Sequence, residues 1–394
     1  MQSMPLGMEL SPDENDLAGQ AADVAASLRP IAPDADTSDE LHPELTDTIR
    51  KSGLFGHFVP AEFGGRGLSV FAIALIRERL AYESVAADEF FASQGIPVQP
   101  IALFGTGAQK HRYLPALLDG SRTFAFCMTE PSAGSDILGI RSTATPAGAG
   151  YTLAGTKRYV FAGDKADTFV VIAKAGDPDQ RAGLTAFLFD RPETGIAGTP
   201  MPLLAPGPEW ELKFDCPVGA GNLLGEVGGG ARIALGNLDR LRPTVGAAAL
   251  GMAQRALDEA VAYTRQRSAF GGALADFQGI QFGLASAAAE IEAARSLVYG
   301  ACRFADSAAD SRDERRLIRA SSAKAKLFAT EVAQRSIDTA LQYHGGNGLV
   351  RGSVLERLYR AVRATRIYEG AAEIMKVVIA RSLLAEPVSS GRAS

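Results

Sequence analysis

The sequence predicts an α+β protein in which two helical regions flank one region of β-strands. Ile73, Ile76 and Leu80 recur at helical spacing, whereas residues 168–173 form a short run rich in β-branched and aromatic residues. The chain is also large and apolar enough for several packed layers, with 394 residues of which 46% are hydrophobic. We predict helices over residues 1–121, strands over 122–230, helices over 231–385 and a flexible tail over 386–394.

Glycine-containing turns separate the predicted helices of the first region. Leu45 and Ile49 are one helical turn apart and so lie on one helix face. Residues 101–115 predict a helix, a turn at Gly105 and Gly107, and a second helix.

In the middle region the apolar period changes to two, and Gly, Pro and Asp separate the short runs. The connections are too short to hold crossover helices, so we expect an antiparallel sheet. Beyond residue 231 the pattern is helical again: Ile280, Leu284 and Ile291 share one face, and a second long helix is expected over about 315–343. Helices of this length usually pack against one another as a bundle.

Charge and composition exclude several classes of function. The formal net charge is −5 without a broad basic surface, which argues against a nucleic-acid partner. The N-terminus lacks a secretion signal and no apolar run reaches membrane-spanning length, so we expect a cytoplasmic protein that does not contact membranes. The three cysteines and four histidines have neither disulfide-framework nor metal-ligand spacing, so we expect no metal. If the protein is an enzyme, its chemistry should come from an organic cofactor.

Two segments contain candidate functional residues. Residues 129–136 (TEPSAGSD) follow a predicted strand and offer N–H groups and hydroxyls to a polar planar ligand, unless they form an ordinary turn. Glu369 lies between Tyr368 and Gly370, just before a predicted helix. It is either a reactive carboxylate or a first-turn acid that interacts with the positive end of that helix.

The TEPSAGSD segment resembles the signature of the acyl-CoA dehydrogenase family. Further motifs follow in that family's order, at residues 54–56, 59–65, 104–115, 267–278, 342–348 and 367–370. The resemblance implies an N-terminal helical domain, a middle β domain that contacts flavin and substrate, and a C-terminal four-helix bundle. It also implies bound FAD, a homotetramer or dimer, and electron transfer to an electron-transferring flavoprotein.

Several β-region residues match positions that contact the flavin in this family. Thr129, Gly134 and Ser135 match those that hold the flavin ring and its pyrimidine edge. Tyr159 stands where the family usually has a tryptophan that covers one flavin edge, and it can still cover the ring. Phe161 replaces a threonine whose hydroxyl lies near flavin N5, and a phenyl ring cannot donate a hydrogen bond.

Four C-terminal residues match positions that contact the FAD of a neighbouring subunit. Arg267 and Phe270 match residues that reach this FAD, with the arginine at the pyrophosphate, where a guanidinium suits phosphate oxygens. Gln342 and Gly346 match the loop along its adenosine half. The glycines of that loop do not complete a dinucleotide-binding fingerprint and follow a predicted helix rather than a strand.

The resemblance assigns the catalytic base to Glu369. In some relatives the base comes instead from the position that Leu241 occupies here, and leucine cannot take a proton. Tyr368 and Gly370 match residues that shape the substrate pocket. The implied reaction removes the α-proton of an acyl thioester while the β-hydrogen leaves as hydride to flavin N5, and it yields a trans-2-enoyl product.

Asp239 and Arg242 match a pair that faces the acyl chain and the pantetheine in the family. The alternative is a helix-start acid and a solvated arginine. Ala371 replaces a threonine that contacts FAD in the family, and the region 202–217 lacks a Gly-x-Arg-x-Ser segment. These departures indicate a divergent member that acts on an unusual acyl-CoA or on an acyl chain bound to a carrier protein. Phe161 also motivates a flavin oxidase or monooxygenase as an alternative, and a non-catalytic flavin-binding relative is a third hypothesis.

Overall fold

A computed structural model describes residues 8–175, 183–308 and 311–385, in which two helical regions flank a β-sheet. The predicted α+β architecture is therefore confirmed. The predicted flexible tail over 386–394 lies outside the described residues.

Among the described residues, the N-terminal region contains six α-helices. They are α1 (Pro12–Leu28), α2 (Ala32–Ala35), α3 (Pro43–Lys51), α4 (Val70–Glu83), α5 (Val85–Phe104) and α6 (Gly107–Leu118). The end of α5 and the beginning of α6 match the helix, turn and helix predicted over 101–115. Helices α4 and α5 meet at Ser84, whose hydroxyl accepts a hydrogen bond from the N–H of Ala87 and caps α5. This corner places Arg77 of α4 and Asp88 of α5 in a bidentate ion pair.

The middle region forms a sheet of eight described strands. They are β1 (Phe124–Cys127), β2 (Thr143–Ala147), β3 (Gly150–Phe161), β4 (Thr168–Ala175), β5 (Gly183–Asp190), β6 (Ile196–Pro200), β7 (Glu209–Gly219) and β8 (Leu223–Leu224). Their order is β6-β7-β3-β2-β4-β5-β8, and β1 pairs with β4. The sheet is mainly antiparallel, as expected, but the pairs β1–β4 and β2–β4 are parallel and were not expected. Between β2 and β4 the chain returns through β3, and this returning strand replaces a crossover helix.

The C-terminal region contains five described α-helices and a short hairpin. They are α7 (Gly230–Gln266), β9 (Ser268–Ala269), β10 (Gly272–Ala273), α8 (Gln278–Ser307), α9 (Arg312–His344), α10 (Val354–Thr365) and α11 (Ala372–Leu384). Helix α9 matches the long helix predicted over about 315–343. Helix α4 crosses α7 so closely that a Cβ on Gly251 of α7 would lie only 2.2 Å from the carbonyl oxygen of Glu78 on α4. This close crossing brings the N-terminal helices to the residues around Glu369.

Three apolar cores hold these regions together. One joins the N-terminal helices to β1, β4, β5 and α7, a second joins α4 to α7, α8, α9 and α10, and a third lies within the β region. The domain boundaries proposed at 121/122 and 230/231 lie between α6 and β1 and at the start of α7. No helix within the described residues combines the length and apolarity needed to cross a membrane.

Candidate active site

The turn between α10 and α11 has a backbone conformation that most side chains avoid. Glu369 has φ +52° and Gly370 has φ +106°. A left-handed conformation costs a non-glycine residue about 1–3 kcal/mol, so it persists only where neighbouring contacts hold it. A Cβ on Gly370 would lie 2.5 Å from Cε of Met375, so glycine suits this position.

Glu369 lies outside the helix that follows it. Helix α11 begins at Ala372, and its first-turn acid is Glu373. The alternative in which Glu369 serves as the first-turn acid of that helix is therefore wrong.

Two buried cations hold three successive carbonyl groups of this turn. Nζ of Lys326 donates to the carbonyl oxygens of Tyr368, at 2.9 Å, and Gly370, at 2.6 Å. Nε of Arg242 donates to the carbonyl oxygen of Glu369 between them, at 2.8 Å. These hydrogen bonds stabilise the left-handed conformation of Glu369 and so offset its energetic cost.

Asp239 and Arg242 form a buried ion pair within α7. The Asp239 carboxylate accepts from Nη1 of Arg242 at 2.5 Å and from Nε of Arg319 at 2.6 Å. Helix α7 begins at Gly230, so Asp239 is not a helix-start acid, and Arg242 is only 4% exposed. The alternative of a helix-start acid and a solvated arginine is therefore wrong for this pair.

One oxygen of the Glu369 carboxyl group is enclosed and lacks a hydrogen bond. Its Oε2 atom is buried and has no partner within the described residues. Burial raises the pKa of Glu369 above its ordinary value, and the nearby charge of Asp88 acts in the same direction. The positive charges of Arg77, Lys326 and Arg242 only partly offset this rise. A carboxylate with a raised pKa and a free oxygen is suited to accept a proton.

Arg77 belongs to a buried polar network at this site. Its Nε and Nη2 atoms donate to the Asp88 carboxylate at 2.8 and 2.9 Å, and its Nη1 donates to Oγ1 of Thr244 at 3.0 Å. Thr244 lies two residues beyond Arg242 on α7, so the network connects α4 and α5 to the helix that contacts the Glu369 turn.

The 129–136 loop is held at its beginning by Glu130. Its carboxylate accepts hydrogen bonds from the N–H groups of Arg141 and Ser142 and from Nζ of Lys157, which lies 2.8 Å away. Beyond it, Gly134 and Ser135 are exposed, and a Cβ on Gly134 would meet no atom within 4 Å. The loop therefore has one fixed end and one open end.

Tyr159 and Phe161 lie at an irregular end of β3. The pairing of β3 with β7 shifts between Lys157 and Val160, and Tyr159 has φ +56° with a half-exposed ring. Phe161 is partly buried and pairs in register with Glu209 on β7.

Two carboxyl groups lie beside Phe161. Glu89 and Phe161 share the lining of one cavity with Gly207 and Pro208, and Oε2 of Glu209 is buried without a partner in the described residues. Burial raises the pKa of Glu209 to about 7. Burial, together with the charge of Glu209, also raises the pKa of Glu89 well above its ordinary value. Both carboxyl groups therefore hold a proton more readily than an exposed glutamate does, and in the protonated form each can donate a hydrogen bond.

A second group of predicted residues lies at the far end of the bundle. Arg267 and Phe270 are exposed on the hairpin after α7, while Gln342 and Gly346 are exposed at the end of α9. The end of α7 and the end of α9 are adjacent: the ring of Tyr263 on α7 stacks on the ring of His344 on α9, with centroids 4.1 Å apart. The structure does not bring this group to Glu369, since Gln342 lies about 24 Å along α9 from Lys326.

The exposed aromatic rings fit a planar cofactor. Tyr159 and Phe270 both have left-handed backbone conformations, and the Phe270 ring is 97% exposed. Residues with strained backbone conformations are often found at ligand-binding sites. Exposed aromatic rings are suited to stack on other rings. The N–H of Arg158 bonds the carbonyl oxygen of Thr129 and so joins Tyr159 to the open 129–136 loop. Tyr159 and this loop offer a ring and polar groups that fit the flavin of FAD, and Phe270 offers a separate ring at the far end of the bundle.

Sequence reasoning missed three buried charges at these sites, namely Arg77, Lys157 and Lys326. For Lys326 a signal was available: Ser322, Ala323, Ala329 and Thr330, at helical spacing from it, are all small. Such a set is typical of a tightly packed helix face, and a lysine on that face has to be buried. For Arg77 and Lys157 only the spatial contact with Asp88 and Glu130 reveals a role.

Comparisons with known proteins agree with this fold. Models of the acyl-CoA dehydrogenase N-terminal, middle and C-terminal domains match residues 11–121, 125–205 and 228–384. The middle-domain match ends within the 202–217 region, where the sequence departs from the family pattern.

Two relatives and one solved structure are similar to this chain over nearly its whole length. A 3-(aryl)acrylate reductase of Clostridium sporogenes is 35% identical over 91% of this chain and 94% of its own. The caffeyl-CoA reductase-Etf complex subunit CarC of Acetobacterium woodii is 33% identical over 90% of this chain and 93% of its own. Butyryl-CoA dehydrogenase from Megasphaera elsdenii superposes with a TM-score of 0.89 at 33% identity, covering 96% of this chain and 100% of its own.

Proposed function

The chain belongs to the acyl-CoA dehydrogenase family and is an FAD-dependent oxidoreductase, and we propose that Glu369 is its catalytic base. In this proposal Glu369 removes the α-proton of an acyl thioester and the product is the trans-2-enoyl thioester. The observation that carries it is the buried Oε2 of Glu369, which has no partner in the described residues. A buried acceptor without a hydrogen bond costs stability, and a substrate proton relieves that cost.

The turn also provides a donor for the substrate carbonyl. The C=O and N–H of a trans peptide point in opposite directions. Because Lys326 holds the carbonyl oxygen of Tyr368, the N–H of Glu369 points away from Lys326, and it has no acceptor among the described residues. A hydrogen bond from this N–H to the thioester oxygen would stabilise the charge that develops as the α-proton leaves. Bound FAD supplies the acceptor for the β-hydrogen.

The remaining site residues follow the family pattern. We propose that Thr129, Gly134, Ser135, Tyr159 and Phe161 bind the flavin of one subunit. Arg267, Phe270, Gln342 and Gly346 would contact the FAD of a neighbouring subunit, which requires a homotetramer or a dimer. Their exposure and their distance from Glu369 support that division.

The substrate and the electron partner are also proposals. Asp239 and Arg242 line the substrate site with Tyr368 and Gly370 in this model of the reaction, and Arg242 contacts the Glu369 turn directly. An electron-transferring flavoprotein would accept the electrons in the cytoplasm. The name of the Acetobacterium relative, which includes an Etf complex, supports that partner.

A second candidate function runs the same chemistry in reverse. Two of the relatives described above are named as reductases, of a 3-(aryl)acrylate and of caffeyl-CoA. In reduction, Glu369 would deliver the α-proton instead of removing it, and its raised pKa suits either direction. Oxygen as the acceptor remains a further alternative, motivated by Phe161, and peroxide formed in air without an added acceptor would reveal it.

Anaerobic mixing of the FAD-loaded protein with a panel of thioesters tests the reaction and its direction. Saturated acyl-CoAs and carrier-bound acyl groups should bleach the flavin if dehydrogenation is correct. Enoyl thioesters should instead restore the colour of chemically reduced protein if reduction dominates. An enzyme that responds to no thioester in either direction would contradict both candidates.

Glu369→Gln tests the base itself. We expect turnover to fall roughly 100- to 10,000-fold, because general-base catalysis contributes that much, while FAD content and unfolding temperature stay near the parent's. The matched control is Glu373→Gln, which removes an exposed acid four residues away on α11 and should leave turnover unchanged. Turnover of Glu369→Gln near that of the control would mean that another residue is the base.

A further inference from the structure

Lys326 lies on the inward face of α9 and is completely buried. It reaches the turn from the side opposite the N–H of Glu369 and spans the two carbonyl groups on either side of that residue. We propose that Lys326 is a positioning residue for Glu369, which fixes the turn so that the carboxylate and the main-chain N–H face the substrate together. This inference rests on the proposed role of Glu369 as the base.

The contacts of Lys326 support a role in orientation. Both of its acceptors are main-chain carbonyl oxygens, at 2.9 and 2.6 Å, and no carboxylate lies within ion-pair distance of Nζ in the described part of the chain. With Arg242 on the intervening carbonyl, the orientation of three successive peptide groups is fixed. Rotation of the first of them, the peptide between Tyr368 and Glu369, would turn the N–H of Glu369 away from its present direction.

The charge of Lys326 has a second consequence. A buried cation without an anionic hydrogen-bond partner is unfavourable, and burial lowers the pKa of Lys326 to about 8. The negative charge of Glu369 opposes this fall, and in return Lys326 lowers the pKa of Glu369. Lys326 therefore acts on the base both through the backbone and through the electric field.

A purely structural lysine would tie α9 to the turn without influencing catalysis. Two variants separate the possibilities. Lys326→Met removes the charge and the donors, whereas Lys326→Gln removes the charge and keeps an N–H donor. Lys324→Met is the matched control, because Lys324 is exposed on the same helix two residues earlier.

The experiment measures kcat, KM and their pH dependence for each FAD-loaded variant, with the thioester that bleaches the parent flavin. It also follows hydrogen exchange of the amides over residues 366–375. For Lys326→Met we expect kcat to fall roughly 10- to 100-fold with KM changed less, since small misplacements of catalytic groups have effects of that size. The ascending limb of the pH profile should move to higher pH, because the remaining field lowers the pKa of Glu369 less. Exchange over the turn should become faster.

Lys326→Gln should retain more of kcat than Lys326→Met and show the same displacement of the pH profile. It also serves if Lys326→Met does not fold. The inference is overturned if FAD-loaded variants keep the parent's kcat and pH profile, or if the losses follow lost FAD alone. A wrong assignment of Glu369 as the base can be told apart from a wrong role for Lys326. If Glu369 is not the base, Glu369→Gln stays active whatever the Lys326 variants do.

Discussion

Lys157 in the sheet and Lys326 in the bundle are both completely buried, and each donates to two main-chain carbonyl oxygens. They differ in the carboxylate beside them. Lys157 bonds the Glu130 carboxylate directly at 2.8 Å, whereas Lys326 bonds the backbone on either side of Glu369 and reaches its carboxylate only through space. Two similar cations therefore leave their neighbouring acids in different chemical states.

The acids respond in opposite ways. Burial alone would raise the pKa of Glu130, but hydrogen bonds from Lys157, Ser142 and Arg141 outweigh it and hold that pKa below its ordinary value. At Glu369 burial dominates, and the pKa is raised. A carboxylate that receives three hydrogen bonds is fixed as an anion and serves the structure, whereas one with a buried oxygen that receives none is available for proton transfer.

The largest expected effect comes from breaking the pair in the sheet. Lys157→Met leaves Glu130 buried without its counter-ion, which we expect to lower the free energy of unfolding by about 3–5 kcal/mol. FAD should also be retained less well, because Glu130 holds the beginning of the 129–136 loop. Denaturant unfolding and the flavin-to-protein absorbance ratio measure the two effects.

Lys165→Met is the control for that variant, because this lysine of the same region has a side chain that is 70% exposed. The double variant Lys157→Met with Glu130→Gln should recover part of the lost stability, since it removes the unpaired charge. If Lys157→Met destabilises no more than Lys165→Met, the sheet pair does not have the structural role inferred from its contacts.

Lys326 should make the free energy of unfolding depend on pH. Its pKa is lowered from 10.5 to about 8, so the unfolded chain binds more protons than the folded chain between these values. The cost of charging Lys326 is fully present below pH 8 and disappears as the pH rises towards 10.5. The parent should gain up to about 3 kcal/mol relative to Lys326→Met across that interval. Unfolding curves of both proteins at pH 7.5 and pH 10 test this, and a constant difference would contradict the lowered pKa.

Arg319 should have the smallest effect. Its side chain is 50% exposed, and Asp239 keeps its bond to Arg242 when Arg319 is replaced. We expect Arg319→Gln to cost less than about 1 kcal/mol of unfolding free energy and to leave the pH profile of turnover unchanged. A displaced pH profile in this variant would mean that a half-exposed cation also changes the pKa of Glu369. The difference inferred here between buried and exposed charges would then be wrong.

Much of the architecture follows from the sequence because it is local. Apolar periods of 3.6 and 2 predict helices and strands, and the TEPSAGSD and Tyr-Glu-Gly segments indicate the family, its fold and FAD. The candidate base was also identifiable, since Leu241 occupies the alternative position. The parallel pairing of β1 with β4 was not predicted, because it depends on which strands meet rather than on the period within each strand.

The surroundings of Glu369 depend on contacts between residues far apart in the chain. Arg242 precedes the carbonyl that it holds by 127 residues, and Lys326 precedes its two acceptors by 42 and 44. No local pattern specifies that a lysine of α9 meets this turn without a carboxylate partner. The residue sequence by itself determines that a glutamate stands at a glycine break before a helix. The packing of α7 and α9 around the turn gives this acid a buried, unpaired oxygen and a raised pKa, because burial and the field of distant charges set that pKa.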